Sequence, residues 1–314
     1  MLRAGEVIAL PTETVYGLAA NALDGKAVAK IFQIKGRPAN NPIIVHVAGQ
    51  EMARSCVSDW PQLAEKLARG FWPGPLTLVL PRAKKIPAEV AAGGYTVGLR
   101  WPGHPFIQAV IRACEFPLAA PSANLSARVS PTNAEHVRRQ LGGKIPLIVD
   151  GGQSQIGIES AVLDLTVTPP AILRPGMIHA ESLAAVCGEV QNPKSNARDQ
   201  ENIFRSPGLL AKHYAPKAKL IVLNWRDEAD LRSQLVSRHF SPATCFVIAH
   251  TRIPSGDKYG GVSIIPHDAE AFARAIYGEL HRCDEAGANA IIVEAPPDSA
   301  QWAGIADRLR RASA

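Results

Sequence analysis

No glycine-rich phosphate loop occurs in this 314-residue sequence: it has neither Gly-x-Gly-x-x-Gly nor Gly-x-x-x-x-Gly-Lys-[Ser/Thr]. That excludes the dinucleotide fingerprint and the P-loop, so a phosphate ligand must be met by side-chain cations. A Gly-x-Ser-x-Gly elbow is missing too, and with it the usual setting of a serine nucleophile. Cysteine is scarce. Cys56, Cys114, Cys187, Cys245 and Cys283 form no Cys-x-x-Cys pair, which reads as reduced, buried thiols and not as a disulfide framework. None of the nine histidines falls beside two cysteines at ligand spacing, so no zinc site is expected. No apolar run reaches membrane-spanning length, and residues 1–5 do not read as a signal peptide. The expectation is a soluble cytoplasmic protein with no membrane partner.

What is present is an ordinary globular composition, 46% hydrophobic and 20% charged, with a formal charge of +6. A moderately basic balance favours anionic partners such as nucleotides or RNA, without choosing between them. The sequence is organised around residues 31–42. An apolar helical pattern, Ala27, Val28, Ile31, Phe32 and Ile34, runs into Lys35-Gly36-Arg37-Pro38. Proline resists continuing the helix and glycine lets the chain turn between the two cations. Two readings stand for Lys35 and Arg37: a polyphosphate clamp, or a solvated helix end that answers the macrodipole.

Short apolar runs alternate with helical patterns along the rest of the chain. Strands are expected over 6–10, 43–47, 76–80, 96–100, 117–120, 147–150, 161–165 and 171–174, with helices over 24–35, 59–70 and 106–114. Pro11-Thr12-Glu13-Thr14-Val15-Tyr16-Gly17 offers two hydroxyls, a carboxylate and a phenol at a strand end, to bind a ligand or to satisfy its own turn. His46 alternates with apolar neighbours, which suits a packed histidine. Trp72 reads as a packing anchor in a proline turn, and Ser122 and Asn124 as donor-acceptor groups two apart on a loop. Thr132 and Glu135 read as a capping box. Gly151-Gly152 reads as a tight turn or a close approach to a ligand. Arg100, Arg128 and Arg174 add to Lys35 and Arg37 a set of cations at or near strand ends that one anion can gather.

From 191 to about 203 the composition is that of a linker, ending in Ser206-Pro207-Gly208 and His213-Tyr214-Ala215-Pro216. Beyond it strands are expected over 219–223, 244–249, 262–265 and 290–293, with helices over 228–239, 268–285 and 303–311, which implies a small doubly wound parallel domain. Arg308, Arg310 and Arg311 read there as a solvated helix face. The expected division is therefore 1–190, a linker over 191–216, and 217–314.

Together these segments resemble the threonylcarbamoyl-AMP synthases, in the two-domain form with a YrdC-like catalytic domain. Ten pieces carry the resemblance in order, from Pro11-Thr-Glu-Thr-Val-Tyr-Gly-Leu18 and Lys35-Gly-Arg-Pro38 to Leu173-Arg-Pro-Gly176 and His213-Tyr-Ala-Pro216. It implies an α/β fold: a YrdC-like twisted mixed sheet with helices, followed by a smaller Rossmann-like parallel domain. The implied activity joins L-threonine, bicarbonate or CO2, and ATP, with Mg2+, into threonylcarbamoyl-AMP and pyrophosphate. Downstream threonylcarbamoyl-transferase proteins then modify tRNA. The resemblance makes Lys35, Arg37, Ser122 and Asn124 the catalytic, nucleotide-handling group, with Arg128, Arg174 and Tyr214 also on ATP. It makes Thr12, His46, Arg100 and Ser160 the L-threonine positions, and leaves the metal ligands unknown.

The sequence departs from the family pattern at Trp101, Val129 and Ala161, and only Met1 to Gly5 stand where the family usually has a helix before the first strand: either the start is called late or this member is trimmed. None of these removes a proposed catalytic group. Two other readings compete: a double-stranded RNA or ribosome-binding module, and a carbamoyl-adenylate-forming maturation enzyme. The latter normally carries zinc-finger and acylphosphatase modules, which this chain lacks.

Overall fold

The computed structural model describes residues 1–191, 204–208 and 212–314. Residues 192–203 and 209–211, within the expected linker 191–216, lie outside the described residues. The chain divides into two compact units: residues 1–126 with 130–210, and residues 127–129 with 211–314.

Unit 1 is built on a mixed sheet. Its elements in order are β1 (Ile8–Leu10), β2 (Gly17–Asn21), α1 (Gly25–Lys35), β3 (Val45–His46), α2 (Gln50–Ser55), α3 (Gln62–Phe71), β4 (Leu76–Pro81) and β5 (Thr96–Arg100). Then follow α4 (Pro105–Cys114), β6 (Leu118–Ala119), α5 (Ala134–Leu141), β7 (Ala161–Asp164), β8 (Ala171–Arg174) and α6 (Ala180–Cys187). The strand order is β1-β2-β6-β3-β5-β4-β7-β8. Only β3 with β5 and β4 with β7 run parallel; the other neighbours are antiparallel.

Local chemistry sets the helix ends. Asp24 caps α1 by accepting the N–H groups of Lys26 and Ala27, and Gly36, at φ 60°, closes it. His104 caps α4 with Pro105 in the first turn. Buried Ala27, Val28 and Ile31 of α1, Leu67 of α3, and Leu76, Leu78 and Leu99 of the central strands share one apolar core. Trp72 anchors that core as expected, buried with its indole N–H donated to the Leu76 carbonyl. The cap of α5 falls one residue later than expected. Asn133, not Thr132, accepts the His136 N–H, while Glu135 pairs with Arg138 and Arg139. Residues 147–149 form no named strand but only a bridge of Ile148 to Ala9.

Unit 2 holds β9 (Lys219–Leu223), α7 (Glu228–Ser237), β10 (Cys245–Ala249), β11 (Gly261–Ile264), α8 (Ala269–Glu285), β12 (Ala290–Glu294) and α9 (Ala303–Ala312). Its sheet is wholly parallel, in the order β11-β10-β12-β9. One expectation fails: Arg308 and Arg311 of α9 are buried, not solvated, and both bond to Asp307 beside them. No described helix is long and apolar enough to cross a membrane.

Candidate active site

Lys35, the last residue of α1, points its ammonium into the loop after β6. Nζ donates to the carbonyls of Ser122 (2.5 Å) and Asn124 (2.6 Å) and to Asn124 Oδ1 (3.3 Å). Its three donors thus meet three acceptors, and the loop is wrapped around the charge. Asn124 is buried, and its amide N–H donates onward to the Leu125 carbonyl. Burial pushes the Lys35 pKa well below the ordinary lysine value; Arg37 adds to this and Glu159 opposes it. Three oxygens within reach favour the charged form in spite of that burial.

Arg37 follows the αL glycine. Its guanidinium is fixed by the carbonyls of Asn41 and Pro42 and by Asn41 Oδ1, at 2.6–3.0 Å. The resemblance grouped Lys35 and Arg37 with Ser122 and Asn124 around a nucleotide; it missed the role of Asn41, for which the only signal was the polar pair ahead of Pro42.

A second constellation surrounds Arg100, at the end of β5. The guanidinium donates to Glu13 Oε1 (2.5 Å), Thr14 Oγ1 (2.9 Å) and the Gly74 carbonyl (3.2 Å). His46 is its register partner across the parallel pair β3–β5. Burial, with the charge of Arg100, holds the His46 pKa down at about 3, so the ring is neutral. Thr12 satisfies its own turn: its hydroxyl donates to the Val15 carbonyl (2.6 Å) and touches Thr14 Oγ1 (3.0 Å). Glu13 and Thr14, which the sequence offered without a role, are the direct partners of Arg100. Burial works to raise the Glu13 pKa, but the charge and hydrogen bonds of Arg100 outweigh it and the pKa is lowered.

Ser160 and Arg174 form a third group. Arg174 donates to the Ser160 carbonyl and hydroxyl at 3.0 and 3.2 Å, and to the Pro207 carbonyl at 3.2 Å. Thr77 Oγ1 lies 2.8 Å from the same hydroxyl. Glu159, next in the chain, accepts from Ser130 at 2.6 Å and is the carboxylate felt by Lys35. The glycine pair is settled by packing. A side chain at Gly151 would meet the Pro11 ring at 2.6 Å, and its N–H donates to Tyr16 Oη, so the close approach is to protein.

Arg128 and Tyr214 belong to unit 2, where Arg128 bridges to Ala215, the residue after Tyr214. Arg128 is exposed and Tyr214 is buried, with the Arg308 guanidinium 5.4 Å from its ring centroid and the Tyr277 ring stacked at 5.9 Å.

Comparison with known proteins finds matches across the whole chain. Residues 1–176 match the Sua5/YciO/YrdC family model, described as telomere recombination. Residues 178–314 match the model of the threonylcarbamoyl-AMP synthase C-terminal domain. The threonylcarbamoyl-AMP synthase of Pyrococcus abyssi is 39% identical over 323 residues, 99% of this chain and 92% of that protein. The Bacillus subtilis enzyme of the same name is 40% identical over 318 residues, 100% of this chain and 91% of that one. The crystal structure of P. abyssi Sua5 complexed with L-threonine superimposes with a TM-score of 0.91 at 38% identity, over 99% of this chain and 92% of that one. A variant of that protein, with a consecutive His-Tyr pair changed to alanine, gives 0.90 at 38% identity, over 99% and 90%. The chain belongs to the two-domain, Sua5-type family of threonylcarbamoyl-AMP synthases.

Proposed function

We infer that this protein is a nucleotidyltransferase that makes L-threonylcarbamoyl-AMP for the threonylcarbamoyladenosine modification of tRNA. The substrates are L-threonine, bicarbonate or CO2, and ATP, with pyrophosphate released and the product passed to threonylcarbamoyl-transferase proteins in the cytoplasm. The observation that carries this reading is the burial of four cations in unit 1: Lys35, Arg37, Arg100 and Arg174 are 2, 9, 4 and 3% exposed. Charges taken out of water in such number suit a small polyanion enclosed by the site. A module that grips RNA by counterion release needs its cations on the surface, which disfavours that alternative.

In this reading Lys35 shapes the Ser122–Asn124 loop that receives the nucleotide, and Arg37 and Arg174 stabilise charge on the phosphoryl oxygens. The resemblance adds Arg128 and Tyr214 to the residues proposed for ATP, the stretch 191–216 being the linker that carries Tyr214. Arg100 keeps two N–H groups beyond the three that are engaged, which suits the threonine carboxylate. Thr12, His46 and Ser160 line the rest of the amino-acid site. The threonine amine captures CO2, and the carbamate oxygen attacks the α-phosphorus while the bond to pyrophosphate breaks. Among the described residues no group of three or more His, Cys, Asp and Glu could hold a metal ion. Mg2+ brought with the triphosphate would neutralise phosphate charge.

The test is pyrophosphate release in the presence of ATP, Mg2+ and bicarbonate, with and without L-threonine. Threonine-dependent release is expected, and release indifferent to threonine would overturn the reading. Arg37→Ala should cut the rate by about a hundredfold or more, as loss of a charge-stabilising group does.

A further inference from the structure

Glu13 has a use that the ion pair with Arg100 does not exhaust. Its side chain is buried, and one oxygen, Oε1, is held by Arg100 at 2.5 Å. The other oxygen, Oε2, is buried with no hydrogen-bond partner among the described residues. The backbone N–H groups of Gly103 and of Glu13 itself contribute to the low pKa of the carboxylate, yet neither reaches Oε2 with hydrogen-bond geometry. A buried carboxylate oxygen left bare is costly, so it calls for a donor that arrives with the ligand. The neighbouring His46 Nδ1 is buried without a partner as well, and Arg100 has two N–H groups in hand. One site thus offers a bare anionic acceptor beside spare cationic donors. That polarity matches the two ends of an α-amino acid, ammonium and carboxylate.

We propose that Glu13 is the residue that takes the amino nitrogen of the substrate, through Oε2, while Oε1 stays on Arg100. This deepens, and rests on, the reading of the Arg100 site as the threonine site. The chemistry explains why an acceptor there is useful through the first step. The ammonium loses one proton to solvent to give the free amine. The nitrogen lone pair then forms the N–C bond to CO2, one C=O pair shifts to oxygen, and a second proton leaves to solvent. The resulting carbamate nitrogen keeps one N–H. A hydrogen bond from that N–H to Glu13 Oε2 serves ammonium, amine and carbamate alike, and fixes the direction in which the carbamate oxygen leaves the nitrogen. Glu13 is in this account an amine-binding residue and not the base.

Glu13→Gln distinguishes this from mere support of Arg100. Its amide oxygen remains available to Arg100, which leaves an NH2 group where the ammonium needs an acceptor. Binding of L-threonine, and of the analogue with hydroxyl in place of the amine (2,3-dihydroxybutyrate of the same configuration), is measured by calorimetry on both full-length proteins, with thermal unfolding as the check on folding. The expected result is L-threonine weakened about tenfold to a hundredfold by Glu13→Gln, with the deamino analogue changed less than threefold. Equal weakening of both ligands would reduce Glu13 to a support for Arg100 and overturn the proposal. If the variant does not fold, the wild-type preference for L-threonine over the analogue decides: a preference under threefold overturns the proposal, and a large one upholds it. A wild-type protein that binds neither ligand would bring down the threonine reading itself, and this proposal with it.

Discussion

His46 lies in register beside Arg100, and burial together with that cation holds its pKa at about 3. In the unfolded chain the imidazole takes up a proton as pH falls through about 6.5, whereas the folded chain does not until about 3. The unfolded state therefore binds more protons across that window, and stability is lost as pH falls through it, by about 1.4 kcal/mol per pH unit at the steepest. Wild type should lose about 2 kcal/mol more than His46→Gln between pH 7 and pH 5, measured by denaturant unfolding at each pH. Equal losses would assign the pH dependence to another group. His46 as a packed histidine was legible from its apolar neighbours; its neutrality was not, because that depends on Arg100, which is distant in sequence. Lys35 is similar. The family motifs grouped it with Ser122 and Asn124 around one nucleotide, but only the folded loop reveals that it bonds to both directly and that two of its three acceptors are main-chain carbonyls, which no side-chain pattern encodes.

At the scale of elements, the legible pieces are those whose pattern is long or punctuated. Helix α1 combined a buried apolar stripe, the Asp24 cap and the Gly36 stop, and β5 fell on the expected residues. Strand β2 was missed because Gly17-Leu18-Ala19-Ala20-Asn21 is poor in β-branched residues and holds its place by pairing with β1 and β6. Helices α2 and α6 were also missed, being 6 and 8 residues long with no side-chain cap at either N-terminus. The glycine between Lys35 and Arg37 gives a test of how the helix end serves the site. Gly36 has φ 60°, and a side chain there would meet nothing within 4 Å, so a substitution costs backbone strain and no clash. Gly36→Ala should lower stability by about 1 kcal/mol, and Gly36→Asn by less, because asparagine tolerates the left-handed region. If the turn aligns Lys35 and Arg37 for ATP, the KM for ATP should rise in the same order, several-fold for alanine. A KM unchanged in both variants would separate the turn from nucleotide binding.

Across the whole molecule, the second unit was legible as alternating strands and helices, but its last helix was misread because the sequence shows charges without their surroundings. Three arginines near a terminus suggest a solvated face; in α9 two of them turn inward. Asp307, itself buried, accepts from Arg308, Arg310 and Arg311, with the Arg311 Nε at 3.0 Å. Burial works to raise the Asp307 pKa, yet Arg308 and Arg311 outweigh it, so the carboxylate is ionised above its ordinary value and its contribution is lost only as pH falls below that. Arg308 in turn lies over the ring of Tyr214, so the aspartate also supports the packing of that residue, which is proposed for ATP. Asp307→Asn keeps the shape and removes the charge, leaving two buried guanidinium groups with a weaker acceptor. The expected cost is about 3 kcal/mol. Because the units have separate cores, the loss should stay local. Hydrogen exchange at pH 7 should speed up on the order of a hundredfold for amides of β9, β10 and β12, with β4 and β5 unchanged. If both sheets speed up alike, the two units unfold as one cooperative body, and the division of the chain does not extend to its stability.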